Sequence, residues 1–263
     1  MTEQPVVVER DGAVVTITMN RPERRNALTA DLKAELLRAL MEAGDDTGVR
    51  AVVLAAAGPA FCVGQDLGEH ARSLADDAKS AFDTVREHYS PIIQALMTMS
   101  KPVVAAVSGT CVGAGLGIAL ACDLRVFASG VKLATAFTGI GLTFDSGLSY
   151  TLPRAVGESR ARDLMLRGRT FEVEQAVAWG VSGEVVDSAD VLTTAQAIAA
   201  DLAQGPTVAF AETKQLLISS ASGTLRDALD AEAQAQTRCG VTQDHQSAVS
   251  AFLAREKPHF VGA

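Results

Sequence analysis

The chain opens with apolar runs interrupted by turn residues. "VVVERDGAVVTITMN" predicts two strands around an Asp11-Gly12 turn. Beyond the polar loop "RPERRNAL", Thr29 is placed to cap a helix whose apolar positions Leu32, Leu36, Leu37, Leu40 and Met41 recur at helical spacing, with Gly44 as its stop. "VRAVVLAAA" is a continuous apolar run, hence a buried strand, and "GPAFCVGQDLGEH" is a glycine-punctuated loop behind it. Polar, helical sequence follows, with Phe82, Val85 and Tyr89 on one face, and Ser90-Pro91 predicts that a helix to Met99 starts afresh there. "PVVAAVSG" reads as another buried strand, "VGAGLGIALACD" as a helix opening from a glycine loop, and "LRVFAS" and "VKLATAF" as further strands. From Ser146 onward helical periodicity dominates, apart from a strand at "VSGEVVD". Alternating strands and helices followed by mostly helices imply an α/β body with a helical C-terminal part.

Composition narrows the function classes. The 263 residues carry a net charge of −8, with 48% hydrophobic, 21% charged and 5% aromatic residues. Such a chain has enough apolar material for a sizeable core built mainly of Ala, Val, Leu and Ile. It lacks the clustered cations that nucleic-acid phosphates require, so no nucleic-acid partner is expected. Cys62, Cys111, Cys122 and Cys239 show no metal-binding spacing, and reduced thiols in a cytoplasmic protein are the expectation. The start "MTEQPVVVERDG" has no basic region followed by an apolar stretch, so it does not read as a signal peptide. The uncharged stretch Pro102–Cys122 is long enough for a membrane span, but its four glycines with Ser108 and Thr110 favour a buried strand, a glycine loop and a buried helix; no membrane partner is expected.

The candidate chemistry sits in two loops of one design, "AFCVGQDL" and "GTCVGAGLG": a strand, glycines, then a helix start. Glycines allow close approach of a ligand to the backbone, and the first N–H groups of a helix are free and positively biased. Two such loops can aim two N–H groups at one oxygen, an oxyanion hole for a carbonyl that becomes an enolate or a tetrahedral adduct. A phosphate is the competing ligand, although "GTCVGAGLG" matches neither a P-loop nor the dinucleotide fingerprint; tight helix-on-sheet packing is the purely structural reading. In "GIGLTFDSGLSY", Asp145 is the single charge among apolar residues and glycines, where it serves either as turn chemistry or as a desolvated functional carboxylate.

Taken together and in order, "RPERRNAL", "AFCVGQDL", "KPVVAAVSGTCVGAGLGIALACD", "GIGLTFDSGLSYTLPRAVG" and "AFLAREKPHF" resemble the crotonase, or enoyl-CoA hydratase/isomerase, superfamily over nearly the whole chain. The resemblance implies a crotonase-like (ClpP/crotonase) α/β spiral of ββα units over residues 1–198 and a helical oligomerisation region over 199–263. It further implies acyl-CoA thioester substrates, no cofactor beyond them, no metal, and a homotrimer or hexamer. The family's two oxyanion N–H groups fall on Gln65 and Ala114. Substrate and CoA contacts fall on Arg25, Ala27, Leu28, Cys62, Gly64, Asp66, Leu67, Gly113, Phe137 and Lys257, the last reaching a neighbouring subunit's CoA. Asp66 is also suited to holding its loop by local hydrogen bonds.

The departures set the expected reaction. The two glutamates with which the family's hydratases hold water correspond to Gly117 and Phe137, so hydration is not expected. A carboxylate at the Asp145 turn resembles the family's double-bond isomerases, and Asp145 becomes the proton shuttle of an enoyl-CoA isomerase. The same turn carries the nucleophile in 4-chlorobenzoyl-CoA dehalogenase, whose tryptophan and histidine correspond here to Phe137 and Ser90. A dehalogenase-like or hydrolytic enzyme, and a non-catalytic acyl-CoA-binding member, are therefore the alternatives. Leu142, Phe144 and Leu148 are candidates for a dry pocket around Asp145, Glu69 and Glu87 for a second acid, and His88 for a surface residue.

Overall fold

The computed structural model describes residues 4–263. Strands β1 (Val6–Asp11) and β2 (Val14–Met19) form the expected hairpin, with Gly12 at φ +57° in its turn. Helix α1 (Ala30–Asp45) begins where Thr29 accepts the Leu32 N–H, and it buries Leu32, Leu36 and Leu40. It runs one residue beyond Gly44, and Met41 is exposed.

Three successive segments then repeat one plan. A long strand enters a large sheet, a short strand follows in a smaller one, and helix or turn comes next. They are β3 (Ala51–Ala56) with β4 (Ala60–Cys62), β5 (Val103–Val107) with β6 (Thr110–Val112), and β7 (Leu124–Ala128) with β8 (Lys132–Ala134). The first is followed by α2 (Leu67–Asp76) and α3 (Ser90–Thr98), the second by α4 (Ala114–Ala121), and the third by a 3-10 turn, Phe137–Ile140, with α5 (Leu148–Val156) and α6 (Glu158–Arg167). Strand β9 (Thr170–Glu172), α7 (Val173–Ala178), β10 (Glu184–Val186) and α8 (Val191–Ala203) complete the core. The large sheet has the order β1-β2-β3-β5-β7-β10, parallel except for the hairpin; the small one has the order β4-β6-β8-β9, antiparallel only at β8-β9. Helix α8 covers the large sheet across β2, β3, β5 and β7. This explains why β3 and β5 are continuous apolar runs rather than alternating ones, since both faces are covered.

Three expectations need amendment. The chain does not restart at Ser90: a π-helical turn, Val85–Tyr89, runs directly into α3, and Tyr89 and Ser90 both have helical angles, so Ser90 makes no cap. The strands β4, β6 and β9 are three residues each, too short for any periodicity to reveal. The expected 198/199 boundary falls inside α8, and the helices that leave the core are α9 (Thr207–Ser220), α10 (Leu225–Gly240) and α11 (Gln243–Ala254). The stretch 102–122 divides into β5, β6 and α4, and no helix among the described residues is long and apolar enough to cross a membrane.

The last three helices are pinned by polar contacts. Lys214 of α9 donates to Asp123 Oδ2 at 2.7 Å and to the carbonyls of Leu96 and Lys101. Arg50 donates to Gly205 O, Thr207 Oγ1 and Phe260 O. The outer side of these helices leaves Leu217, Leu225, Val241, Phe252 and Leu253 exposed.

Candidate active site

The two glycine loops meet. After β4, Gly64 turns the chain at φ +87°. Leu28 then pairs with Gln65 as an isolated parallel bridge: its N–H donates to Gly64 O at 2.8 Å and its carbonyl accepts the Asp66 N–H at 3.1 Å. In an extended chain, N–H groups of successive residues point to opposite sides, so the Gln65 N–H faces away from Leu28. After β6, Gly113 takes up the positive φ (+59°), so Ala114 needs no unusual backbone angle to begin α4. As the first residue of a helix, Ala114 has an N–H without an intrahelical acceptor. A β-carbon on Gly115 would lie 2.4 Å from Cys62 O, so only glycine permits the loops this contact there.

Both loops border a cavity of about 510 Å³, together with Ala27, Asp66, Leu67, Phe137, Leu142 and Asp145. Leu28 and Cys62 are fully buried behind its wall, and the closed environment pushes the Cys62 thiol up to about 12. Asp66 caps α2 by accepting the Glu69 N–H and pairs with Arg21 at 3.3 Å; these contacts, the backbone one first, hold its carboxyl below the usual range. Of Arg24 and Arg25 it is Arg24 that borders the cavity, whereas Arg25 does not line it and is exposed, in a left-handed conformation at φ +50°. Lys257 is exposed in the C-terminal tail, away from the cavity of its own chain.

One wall of the cavity is apolar and carries Asp145. The residue opens a tight turn in which Leu148 N–H returns to Asp145 O at 3.1 Å, while Ser146 and Gly147 adopt left-handed angles of +51° and +72°. Turn chemistry and pocket placement thus coexist at this position. The turn rests on α4 at Gly117, where a β-carbon would come within 2.4 Å of Ser146 O and 2.6 Å of Ser146 Cβ. Phe137 is 9% exposed and fills the neighbouring wall. Asp145 is half-buried, and burial pushes its carboxyl above the usual carboxylate range; the Ser146 hydroxyl, donating to Oδ1 at 2.7 Å, and the positive charge of Lys33 pull it partly back. Leu142 lines the cavity, but Leu148 belongs to the core and Phe144 packs against it.

A second stretch of the lining, with Gln65, Thr84 and Tyr89, is polar, and the lysine behind it escaped the sequence reading. Lys33 of α1 is 1% exposed. Its ammonium donates to Gln65 Oε1 at 3.2 Å and to Thr84 Oγ1, and it lies 4.9 Å from the centre of the Tyr89 ring. The Tyr89 hydroxyl donates to the same Gln65 oxygen. Burial lowers the Lys33 ammonium from its ordinary value, and Glu69 and Asp145 oppose that shift. Burial raises the Tyr89 phenol, with Asp145 adding to the effect. His88 is half-buried rather than a surface residue: Nδ1 sits 3.2 Å from Thr84 Oγ1, and burial followed by the Lys33 charge lowers its pKa. Neither candidate second acid borders the cavity. Glu69 accepts the Ala30 N–H at the start of α1, and Glu87 is exposed.

The family model for enoyl-CoA hydratase/isomerase matches residues 9–263. The chain belongs to the enoyl-CoA hydratase/isomerase family. It is 37% identical over 249 residues to the 1,2-epoxyphenylacetyl-CoA isomerase of Escherichia coli (strain K12), covering 95% of each chain. It is 35% identical over 233 residues to 4-chlorobenzoyl coenzyme A dehalogenase-2 of an Arthrobacter species, covering 89% of this chain and 84% of that one. A crystal structure described as an enoyl-CoA hydratase/isomerase from Mycobacterium abscessus superposes with a TM-score of 0.94 at 50% identity, covering 98% of this chain and 100% of that one. The crotonase fold expected from the sequence is therefore the observed one, and this family member acts on acyl-CoA thioesters. Its relatives are named isomerases, hydratases and dehalogenases alike, so the reaction has to be argued from the two walls.

Proposed function

We propose that the protein is an enoyl-CoA double-bond isomerase in which Asp145 is the proton shuttle. The observation that carries this reading is a desolvated carboxylate facing the same cavity as two converging glycine loops, with backbone of its own turn filling the space beside Gly117. The Asp145 carboxylate takes a proton from C2 of a 3-enoyl thioester. The C–H electron pair delocalises into the conjugated thioester, and the oxygen accepts hydrogen bonds from the N–H groups of Gln65 and Ala114. The carboxylic acid then returns the proton at C4, and the double bond ends between C2 and C3. Atoms and charge balance without a metal or redox cofactor. Burial suits the residue to both half-steps, because a raised pKa brings carboxylate and acid closer in free energy near neutral pH.

The same geometry argues against hydration. A hydratase needs a second carboxylate to hold its water, whereas Phe137 is apolar and a side chain at position 117 would collide with Ser146. A dry wall also protects the dienolate from side reactions. The test is conversion of a 3-enoyl-CoA by the wild-type protein and by Asp145→Asn. Wild-type turnover in the variant would remove the assignment.

The likeness to a dehalogenase, together with the turn carboxylate, supports one second reading, in which Asp145 attacks an aryl-CoA ring and displaces halide. Ser90 does not border the cavity and Phe137 has no hydrogen-bonding group, so the histidine and tryptophan expected for that chemistry have no counterpart here. Mass spectrometry after quenching with 4-chlorobenzoyl-CoA would reveal the arylated enzyme. The apolar outer side of α9–α11 supports self-association in solution, in line with the expected trimer or hexamer.

A further inference from the structure

The buried ammonium of Lys33 has no part in the proton transfer just described, yet it lies directly behind the cavity lining, bonded to Gln65 and Thr84, which border the cavity. A lysine is almost never fully buried unless its donors are satisfied. The partners of Lys33 are the Gln65 side chain, Thr84 and the face of Tyr89. Gln65 is held from two sides, because Tyr89 donates to the same amide oxygen. The backbone N–H of that residue is one of the two oxyanion donors, so whatever fixes its side chain also fixes the direction of the N–H. We infer that Lys33 is a positioning residue of the reaction: through Gln65 it aims the N–H of the first glycine loop, and it places a buried positive charge behind the cavity lining.

The inference rests on the isomerase reading, in which one negative charge passes from the Asp145 carboxylate to the thioester oxygen and back during turnover. Other charges do not substitute for Lys33. Glu69 faces it from α2 and is bound to the Ala30 N–H. From the π-helical turn, Glu87 is exposed, His88 is held below its ordinary pKa, and Tyr89 is held neutral by burial. Along the lining, Asp66 is paired with Arg21, and Arg24 and His70 border the cavity without a hydrogen bond to Asp145. Lys33 is the cation that opposes the upward shift of the Asp145 carboxyl, so its removal raises that pKa further.

The experiment uses Lys33→Met, which is similar in length, uncharged and unable to donate, with Lys33→Arg and Gln65→Leu beside it. Cinnamoyl-CoA serves as the probe, since hydrogen bonds to its thioester oxygen polarise the conjugated system and move its absorbance to longer wavelength. In Lys33→Met, kcat for the 3-enoyl-CoA is expected to fall on the order of tenfold to a hundredfold, as for a misaimed reacting group, with KM little changed. The acid limb of the kcat profile should move up by about one pH unit, the effect of losing a nearby opposite charge. The long-wavelength shift of bound cinnamoyl-CoA should shrink. Lys33→Arg should return the acid limb toward its wild-type position, and Gln65→Leu should lose the spectral shift while leaving the acid limb in place. A folded Lys33→Met with wild-type spectral shift and acid limb would overturn the inference. Should Lys33→Met not fold, a full spectral shift in Gln65→Leu overturns it equally. The spectral arm involves no proton relocation, so it stands apart from the isomerase reading, which Asp145→Asn decides.

Discussion

The two walls of the cavity solve opposite problems. On one, a carboxylate is set among apolar groups with a single neighbouring hydroxyl, and its charge is disfavoured. Behind the other, an ammonium is buried far more deeply yet is matched by an amide oxygen, a hydroxyl and an aromatic face. The first arrangement leaves a group that changes protonation state at little cost, which is what a proton shuttle requires. The second gives a group that stays in one place, which is what an oxyanion loop requires. Burial alone does not distinguish a reactive residue from a structural one. The completeness of its partners does.

The sharpest break in this comparison is Asp145→Asn, which keeps the shape and removes the base. Isomerisation of a 3-enoyl-CoA is expected to drop on the order of 10²- to 10⁴-fold, the usual contribution of a positioned acid–base group. Nearly as large is the failure of the molecule to hydrate: loss of enoyl absorbance with crotonyl-CoA should be orders of magnitude slower than for an enzyme with two water-holding carboxylates. Gly117→Glu should not create hydratase activity. It should instead destabilise the fold by about 1–3 kcal/mol or more, because the new side chain starts within 2.4 Å of Ser146 O; thermal unfolding measures this. On the polar wall, Tyr89→Phe keeps the ring and deletes one buried hydrogen bond to Gln65, for a loss of about 1 kcal/mol in stability.

The smallest effect carries the clearest sign. The Asp145 pKa is higher in the folded protein than in the unfolded chain, so folding favours the protonated acid. Its contribution is fully present below the unfolded value and is lost as pH rises through the folded one. Asp145→Asn, which cannot ionise, should therefore melt above the wild-type protein near pH 8, with the gap closing toward pH 4. A gap that widens on acidification would mean that the carboxylate is stabilised in the fold, contrary to the two-wall picture.

Much of the fold was legible because long elements carry strong periodicity: the hairpin, α1 with its Thr29 cap, and the continuous runs of β3 and β5. The small sheet was not, since its strands are three residues each and are made by pairing rather than by pattern. At the site, the glycines marked both loops, because a β-carbon at Gly115 has nowhere to go. The polar wall was missed although a signal existed. Lys33 precedes Leu36 by three positions and Leu40 by seven, so it lies on the buried face of α1, where a cation must have partners. Those partners, Gln65, Thr84 and Tyr89, come from distant points of the chain, and only the fold brings them together. The π-helical turn that presents Tyr89 has no sequence signature of its own, and the Ser90-Pro91 pair imitated a helix start there.

The contact between Gly117 and the Ser146 backbone has a historical consequence. A side chain at position 117 and this form of the Asp145 turn exclude each other sterically. On the proposed isomerase mechanism, a lineage that gained a glutamate first would lose the turn, and with it the shuttle. One that reshaped the turn first would lose the shuttle before the glutamate arrived. On that mechanism neither order of single replacements keeps a working catalyst throughout. Passage between water addition and proton relocation on this scaffold therefore calls for a spare gene copy, or for a loop exchanged whole.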